Sequence, residues 1–196
     1  MATRCAFVLK NRETVALYMH WDGYPAGAMW VVIRTIQYLQ KYAWSQTHWW
    51  HNPEIVASFM IAQDWDYTKE DPILKTQENN GWMKPDIRPI LREMDLKDVD
   101  AKWVYYIDIS EKEDQGCKWT YWTIEVRTIH GVLVAIVKVK FHYGRLSEDT
   151  KYEFDVEIVN DPCIMYKYKE DIDDMIKLLK QYGNVTVKEI VPNPTL

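Results

Sequence analysis

Cysteine is scarce. Cys5, Cys117 and Cys163 are odd in number, widely spaced and without any C-x-x-C pair. A disulfide framework and a zinc ribbon are both excluded, and reduced thiols in a cytosol-like compartment fit best. Glycine is scarce as well, at seven residues in 196. No G-x-x-x-x-G-K-[ST], G-x-G-x-x-G, G-x-S-x-G or H-E-x-x-H string occurs. A phosphate-cradling loop, a nucleophile elbow and a zincin helix therefore have no support in the sequence, and no motif indicates a cofactor. Long apolar runs are missing: residues 131–137 are among the longest, far short of the roughly 20 residues a membrane span needs. The string Met1-Ala2-Thr3-Arg4-Cys5 runs straight into a strand-like segment without the apolar stretch of a signal peptide, so the expectation is a cytoplasmic protein with no membrane partner. Excess positive charge is absent too. Twenty-four basic against 29 acidic side chains give −5, which argues against broad, backbone-driven nucleic-acid binding and leaves only a local basic patch as a route to it.

What is present is an ordinary globular composition, 47% hydrophobic and 27% charged, with no repeat and no low-complexity tract. One α+β domain over residues 1–196 is expected, with a C-terminal extension from about 145 to 196 as the alternative. Ten Trp and thirteen Tyr stand against four Phe, so most of the aromatic surface carries a hydrogen-bonding tip.

Residues 6–10 and 13–20 read as strands joined at Asn11-Arg12, a tight hairpin whose asparagine tolerates left-handed backbone. Between about 26 and 43, Met29, Val32, Ile33, Ile36 and Leu39 recur at three- and four-residue steps, the helical period. Asn52-Pro53 reads as an N-cap followed by proline at the first helical position, opening a second helix to about Asp64. Residues 65–100 are punctuated by Asp71-Pro72, Asn79-Asn80-Gly81, Lys84-Pro85 and Arg88-Pro89. This stretch reads as a connection or an active-site lid, with at most a short helix near 90–94. From Ala101 the period becomes two, predicting strands over 103–109, 119–129, 132–142 and 151–159, with a turn at His130-Gly131. Residues 169–182 form an amphipathic helix closed by Gly183 at its C′ position, and 185–191 a last strand. The sum is an α+β fold: a mainly antiparallel, meandering sheet of about six to seven strands covered by two to three helices.

The most unusual string is His20-Trp21-Asp22-Gly23-Tyr24-Pro25. Read structurally, it connects a strand to a helix. Asp22-Gly23 makes the turn, Asp22 caps backbone N–H groups, Pro25 fixes the helix start, and Trp21 and Tyr24 plug the end of the core. Read functionally, His20 and Asp22 present a base and a carboxylate beside a helix N-terminus, with two aromatics that could stack a planar ligand. The string resembles one shared by a group of small uncharacterised proteins from phages, archaeal viruses and bacteria, which also carry a later tyrosine-rich strand like Trp103-Val104-Tyr105-Tyr106-Ile107. The likeness covers the first half to two thirds of the chain, and the part from about Gly131 has no counterpart. It implies a shared site at the hexapeptide, a viral or phage origin with a host-cytoplasmic location, and no established activity.

His48-Trp49-Trp50-His51 is the second cluster. Two histidines at i and i+3 could share a metal with His20 and with a carboxylate such as Asp22, Asp64 or Asp66. Adjacent tryptophans are also a packing plug or a partner-binding hot spot. The acidic run Asp64, Asp66, Glu70, Asp71 reads as solvated surface. In the strand 119–129 both faces carry an aromatic, Trp119 and Tyr121 on one and Trp122 on the other, which suggests burial between layers. No complete catalytic constellation is visible. The leading expectation is therefore an accessory binding protein, with His20, Trp21, Asp22, Gly23 and Tyr24 joining Trp49 and Trp50 to hold a small ligand or a protein partner. The alternatives are a metal-assisted hydrolase or nuclease-like enzyme using His20, Asp22, His48 and His51, and a virion structural or assembly protein that forms homo-oligomers.

Overall fold

A computed structural model describes residues 3–70, 86–90, 100–112 and 119–191. Eight strands form one sheet in the order β3-β2-β1-β4-β5-β6-β7-β8. They are β1 (Cys5–Lys10), β2 (Thr14–Met19), β3 (Ile87–Pro89), β4 (Trp103–Asp108), β5 (Trp119–Thr128), β6 (Leu133–His142), β7 (Tyr152–Val159) and β8 (Gly183–Ile190). Among the described residues, three helices, α1 (Pro25–Tyr42), α2 (Pro53–Glu70) and α3 (Pro162–Lys180), pack on one face, and a 3-10 turn spans Thr47–His51. The α+β class is as expected, and the sheet is mostly antiparallel. It has eight strands rather than six or seven, and it is not a pure meander: β1 runs parallel to β4 and β7 parallel to β8. Parallel neighbours require a crossover, which α1 and α2 supply in the first case and α3 in the second.

The period-two segments alternate as their sequence dictates. Cys5, Phe7 and Leu9 of β1, Tyr105 and Ile107 of β4, Trp122, Ile124 and Val126 of β5, and Val137, Val139 and Phe141 of β6 all point under the helices and are buried. Their partners across the helices are Met29, Val32, Ile33, Ile36 and Leu39 of α1, which carry the three-and-four spacing, and Ile172, Met175 and Leu179 of α3. Gln40 is paired inside this layer: it donates to the His142 carbonyl oxygen at 3.3 Å and accepts from the Tyr152 hydroxyl at 2.7 Å. Among the described residues, the opposite face of the sheet carries a small cluster around Ala6, Val8 and Val104. The burial expected for both faces of β5 therefore holds for one. Trp122 is inside, whereas Tyr121 is half-buried with the Lys138 ammonium 4.3 Å from its ring centroid.

Boundaries follow local chemistry. Asn52 Oδ1 accepts from Ile55 N at 3.1 Å, the expected cap of α2. Gly131 takes φ 83° in the β5–β6 turn, a conformation β-branched residues avoid. Asn11 is not left-handed; its amide donates to the His51 carbonyl oxygen at 2.6 Å instead. α3 begins seven residues before the sequence period suggested, because Asp161 accepts from Cys163 N and Ile164 N and Pro162 opens the helix. Its C-cap is Gln181, so Gly183 begins β8 rather than closing the helix. α2 continues to Glu70, and residues 87–89 pair as a strand with β2. Ile90 is not helical, and 91–94 lie outside the described residues. β6 and β7 are antiparallel neighbours, so the sheet continues across residues 144–150. No helix among the described residues is long and apolar enough to cross a membrane.

Candidate functional site

The hexapeptide turns at the end of β2. Two stacked carboxylates hold it. Asp64 on α2 accepts from the backbone N–H groups of Asp86 and Ile87 at 2.7 and 3.2 Å. Asp86 in turn accepts from those of Trp21 and His20 at 2.7 and 3.2 Å. Burial pushes both carboxyls above the usual range, against the lowering effect of those N–H donors; the nearby Asp64 raises Asp86 further. Asp64 is thus a half-buried anchor whose carboxylate holds backbone N–H groups rather than standing free in solvent. Gly23 is fixed on both sides: its N–H donates to the Thr3 carbonyl oxygen at 2.8 Å, and its own carbonyl oxygen accepts from the buried Tyr105 hydroxyl at 2.8 Å.

The turn residue in left-handed backbone is Asp22, at φ 55°. Gly23 is needed for a different reason: a methyl group there would lie 2.7 Å from the Cys5 amide nitrogen. Asp22 caps no helix. The α1 N-cap is Tyr24, without a side-chain bond, and Asp22 Oδ1 accepts from the Tyr24 hydroxyl at 3.2 Å. Pro25 does open the helix. Trp21 and Tyr24 plug nothing, since they are 57% and 40% exposed. Tyr18 and His20 meet through the phenol oxygen and Nδ1 at 2.9 Å, and the His20 ring packs edge-on against Trp21.

The second cluster lies elsewhere. β1 and β2 pair from Cys5↔Met19 to Lys10↔Thr14. His20 therefore sits beyond the Cys5 end of β1, while His51 sits at the other end, held by Asn11. At about 3.3 Å per residue that separation is about 20 Å, too far for His20, Asp22, His48 and His51 to share one ion. Among the described residues no group of three or more His, Cys, Asp and Glu is arranged to hold a metal. His51 is buried, with Nδ1 at 2.8 Å from the Ile109 carbonyl oxygen and Nε2 on the Tyr143 hydroxyl. Trp50 is fully buried, its ring stacked on Phe141 and its N–H donating to the Ala43 carbonyl oxygen at 2.9 Å. Trp49 is half-buried against the same core. Trp49 and Trp50 are the packing plug of the 3-10 turn and form no common surface with the hexapeptide.

A cleft of about 590 Å³ opens beside Tyr24. Its floor is Trp103 at the start of β4, with Thr128 and Ile129 at the end of β5. Its far wall is one face of α3, where Tyr168 meets Trp103 edge-on at 5.2 Å and where Glu170, Asp171 and Asp174 line the rim. Lys167 lies on the same face of α3 as these carboxylates, and Lys102 and His130 complete the lining. Burial raises the Asp171 pKa, helped by Glu170 and Asp174 and opposed by Lys102. Burial also raises Tyr24, and Asp22 and Asp174 add to it. Of the seven ligand-binding residues expected from the sequence, Tyr24 alone lines this cleft.

Protein-family models, curated proteins and solved structures give no match to the chain.

Sequence reading missed most of this cleft, because its walls come from 3, 24, 102–103, 128–130 and 167–174, five segments that no spacing connects. One signal was readable: Lys167, Glu170, Asp171 and Asp174 repeat at three and four residues, putting a charged stripe on one face of α3 beside Tyr168. A second concavity of about 520 Å³ sits at the opposite end of β1, between Arg12, His48, Asn52 and Glu111.

Proposed function

We propose that the protein is a non-enzymatic binding protein that takes a small organic ligand into the cleft between α3, the start of β4 and the β5–β6 turn. The observation that carries this is the cleft itself, of a size that accommodates ligands and walled by the rings of Tyr24, Trp103 and Tyr168. Rings on two walls suit a planar or apolar body. Three carboxylates against two lysines favour a neutral or cationic ligand over an anionic one. The hexapeptide then serves the cleft indirectly. Its bonds from Gly23 to Thr3 and Tyr105 fix the backbone next to Tyr24, and Asp22 holds the Tyr24 hydroxyl. An accessory role in a virus or phage, in the host cytoplasm, belongs to the same proposal and rests on the resemblance of the hexapeptide.

The test is denaturing mass spectrometry of protein purified gently from host cells, combined with a fragment screen. Wild type should retain or take up a small molecule. Tyr168→Ala, which removes one wall, should lose it, and Trp21→Ala, which lies outside the cleft, should keep it. A wild-type protein that retains nothing and binds no fragment contradicts the proposal.

A further inference from the structure

The two edges of the sheet are built differently. β3 is three residues long and ends in Pro89, two devices that blunt an edge. β8 runs for eight residues with no proline, and no described strand lies on its outer side. Val187 in its middle is 44% exposed.

The hydrogen bonds to β7 fix which backbone groups face away from it. Tyr152 N donates to the Tyr182 carbonyl oxygen and Asn160 N to that of Ile190, in the parallel register Tyr152↔Gly183 to Val159↔Ile190. In a parallel pair a residue directs both its N–H and its C=O to the same side, and the side alternates along the strand. Asn184, Thr186 and Lys188 therefore face β7. Val185, Val187 and Glu189 direct their N–H and C=O groups to the open edge.

We infer that β8 pairs antiparallel with β8 of a second copy, about a two-fold axis at Thr186, so that one sheet runs through a homodimer. A two-fold axis perpendicular to a sheet keeps each face on its own side, so only positions of equal parity can oppose each other. An axis at Thr186 sets Val185 opposite Val187 of the second copy, twice, which covers the exposed Val187 with the half-buried Val185 on the face that carries α3. It sets Asn184 opposite Lys188. Because Asn184 neighbours Glu153 on β7, each Lys188 lies between its own Glu157, at 3.1 Å, and Glu153 of the second copy. An axis at Lys188 would instead oppose two ammonium groups, which is unfavourable. Charge and apolar pairing select the Thr186 register.

In that register Thr186 forms a non-hydrogen-bonded pair with itself, with Cα atoms about 4.5 Å apart, within disulfide range. Thr186→Cys, made in a Cys117→Ser, Cys163→Ser background so that the buried Cys5 is the one other thiol, should form a covalent dimer on mild oxidation. Asn184→Cys in the same background should cross-link several-fold more slowly, since Asn184 opposes Lys188 rather than itself. Sedimentation of the wild type should approach twice the 23.4 kDa chain mass as concentration rises, and Val187→Asp should remain monomeric. A wild type that stays monomeric throughout, a Val187→Asp variant that dimerises as the wild type does, or equal cross-linking at positions 184 and 186 would each overturn the inference. The cysteine comparison decides the matter even if Val187→Asp fails to fold.

Discussion

Trp21 and Trp50 show how differently one residue type is used here. Both sit in strings that a sequence reader marks as sites. Trp50 is fully buried against Phe141 and Tyr143, while Trp21 is 57% exposed. Trp50→Ala should destabilise the protein by about 3–5 kcal/mol, the usual cost of emptying a large aromatic site. Trp21→Ala should stay within about 0.5 kcal/mol. Denaturant unfolding of the two variants measures this, and similar losses would contradict the placement of one of them. Asp86 offers a pH test. Its pKa is raised by burial, so between the ordinary carboxyl pKa and the folded value the native state binds more protons than the unfolded chain. The contribution of Asp86 to stability therefore falls as pH rises through the range just above the ordinary carboxyl value. Asp86→Asn removes the titration. Its melting temperature relative to wild type should be higher at pH 7 than at pH 4, and a difference that is constant or reversed would refute the assignment.

At the scale of elements, the connector from β2 to α1 is tested through its glycines. A methyl at Gly27 would meet the Asp22 carbonyl oxygen at 1.9 Å, and one at Gly23 would meet the Cys5 amide nitrogen at 2.7 Å. Gly23→Ala and Gly27→Ala should each cost more than about 1 kcal/mol, because backbone and not a flexible side chain stands in the way. Asp22→Gly should be neutral within about 1 kcal/mol. It loses the bond from Tyr24 but relieves a left-handed non-glycine residue. Thermal unfolding of all three variants orders them, and an Asp22→Gly variant less stable than Gly23→Ala would refute this account of the turn. Most elements were legible because their signals are local. The α1 spacing from Met29 to Leu39, the Asn52 cap and the alternation from Tyr152 to Val159 all act within a few residues. The early start of α3 was also legible, in Asp161-Pro162 and in Ile164, Met165 and Tyr168, which pack half-buried on the core ahead of Ile172, while Tyr166 and Lys167 point outward. The parallel pairings β1–β4 and β7–β8 were not legible. They depend on where crossovers place strands that are far apart in sequence, and no single segment records that.

For the whole molecule, burial of one sheet face under three helices leaves the end of the sheet near Tyr24 as a cleft between α3 and the start of β4. The hexapeptide was recognisable as unusual from its composition, yet its chemistry lies in its supports. Asp64 and Asp86 hold it from beneath, Tyr105 pins Gly23, and only Tyr24 reaches the cleft. Those supports come from three distant segments that no spacing connects, and the tryptophan pair to which sequence alone joined the hexapeptide lies at the other end of β1. The most direct measurement is amide chemical-shift mapping of the isotope-labelled protein during titration with a small aromatic amine. The expected result is a saturable set of shifts at Lys102, Thr128–His130 and Lys167–Asp174, abolished by Tyr168→Ala and unaffected by Trp21→Ala. Shifts confined to the concavity around His48 and Asn52, or none from any aromatic amine, neutral ring or anion tried, would contradict a ligand site at Tyr24.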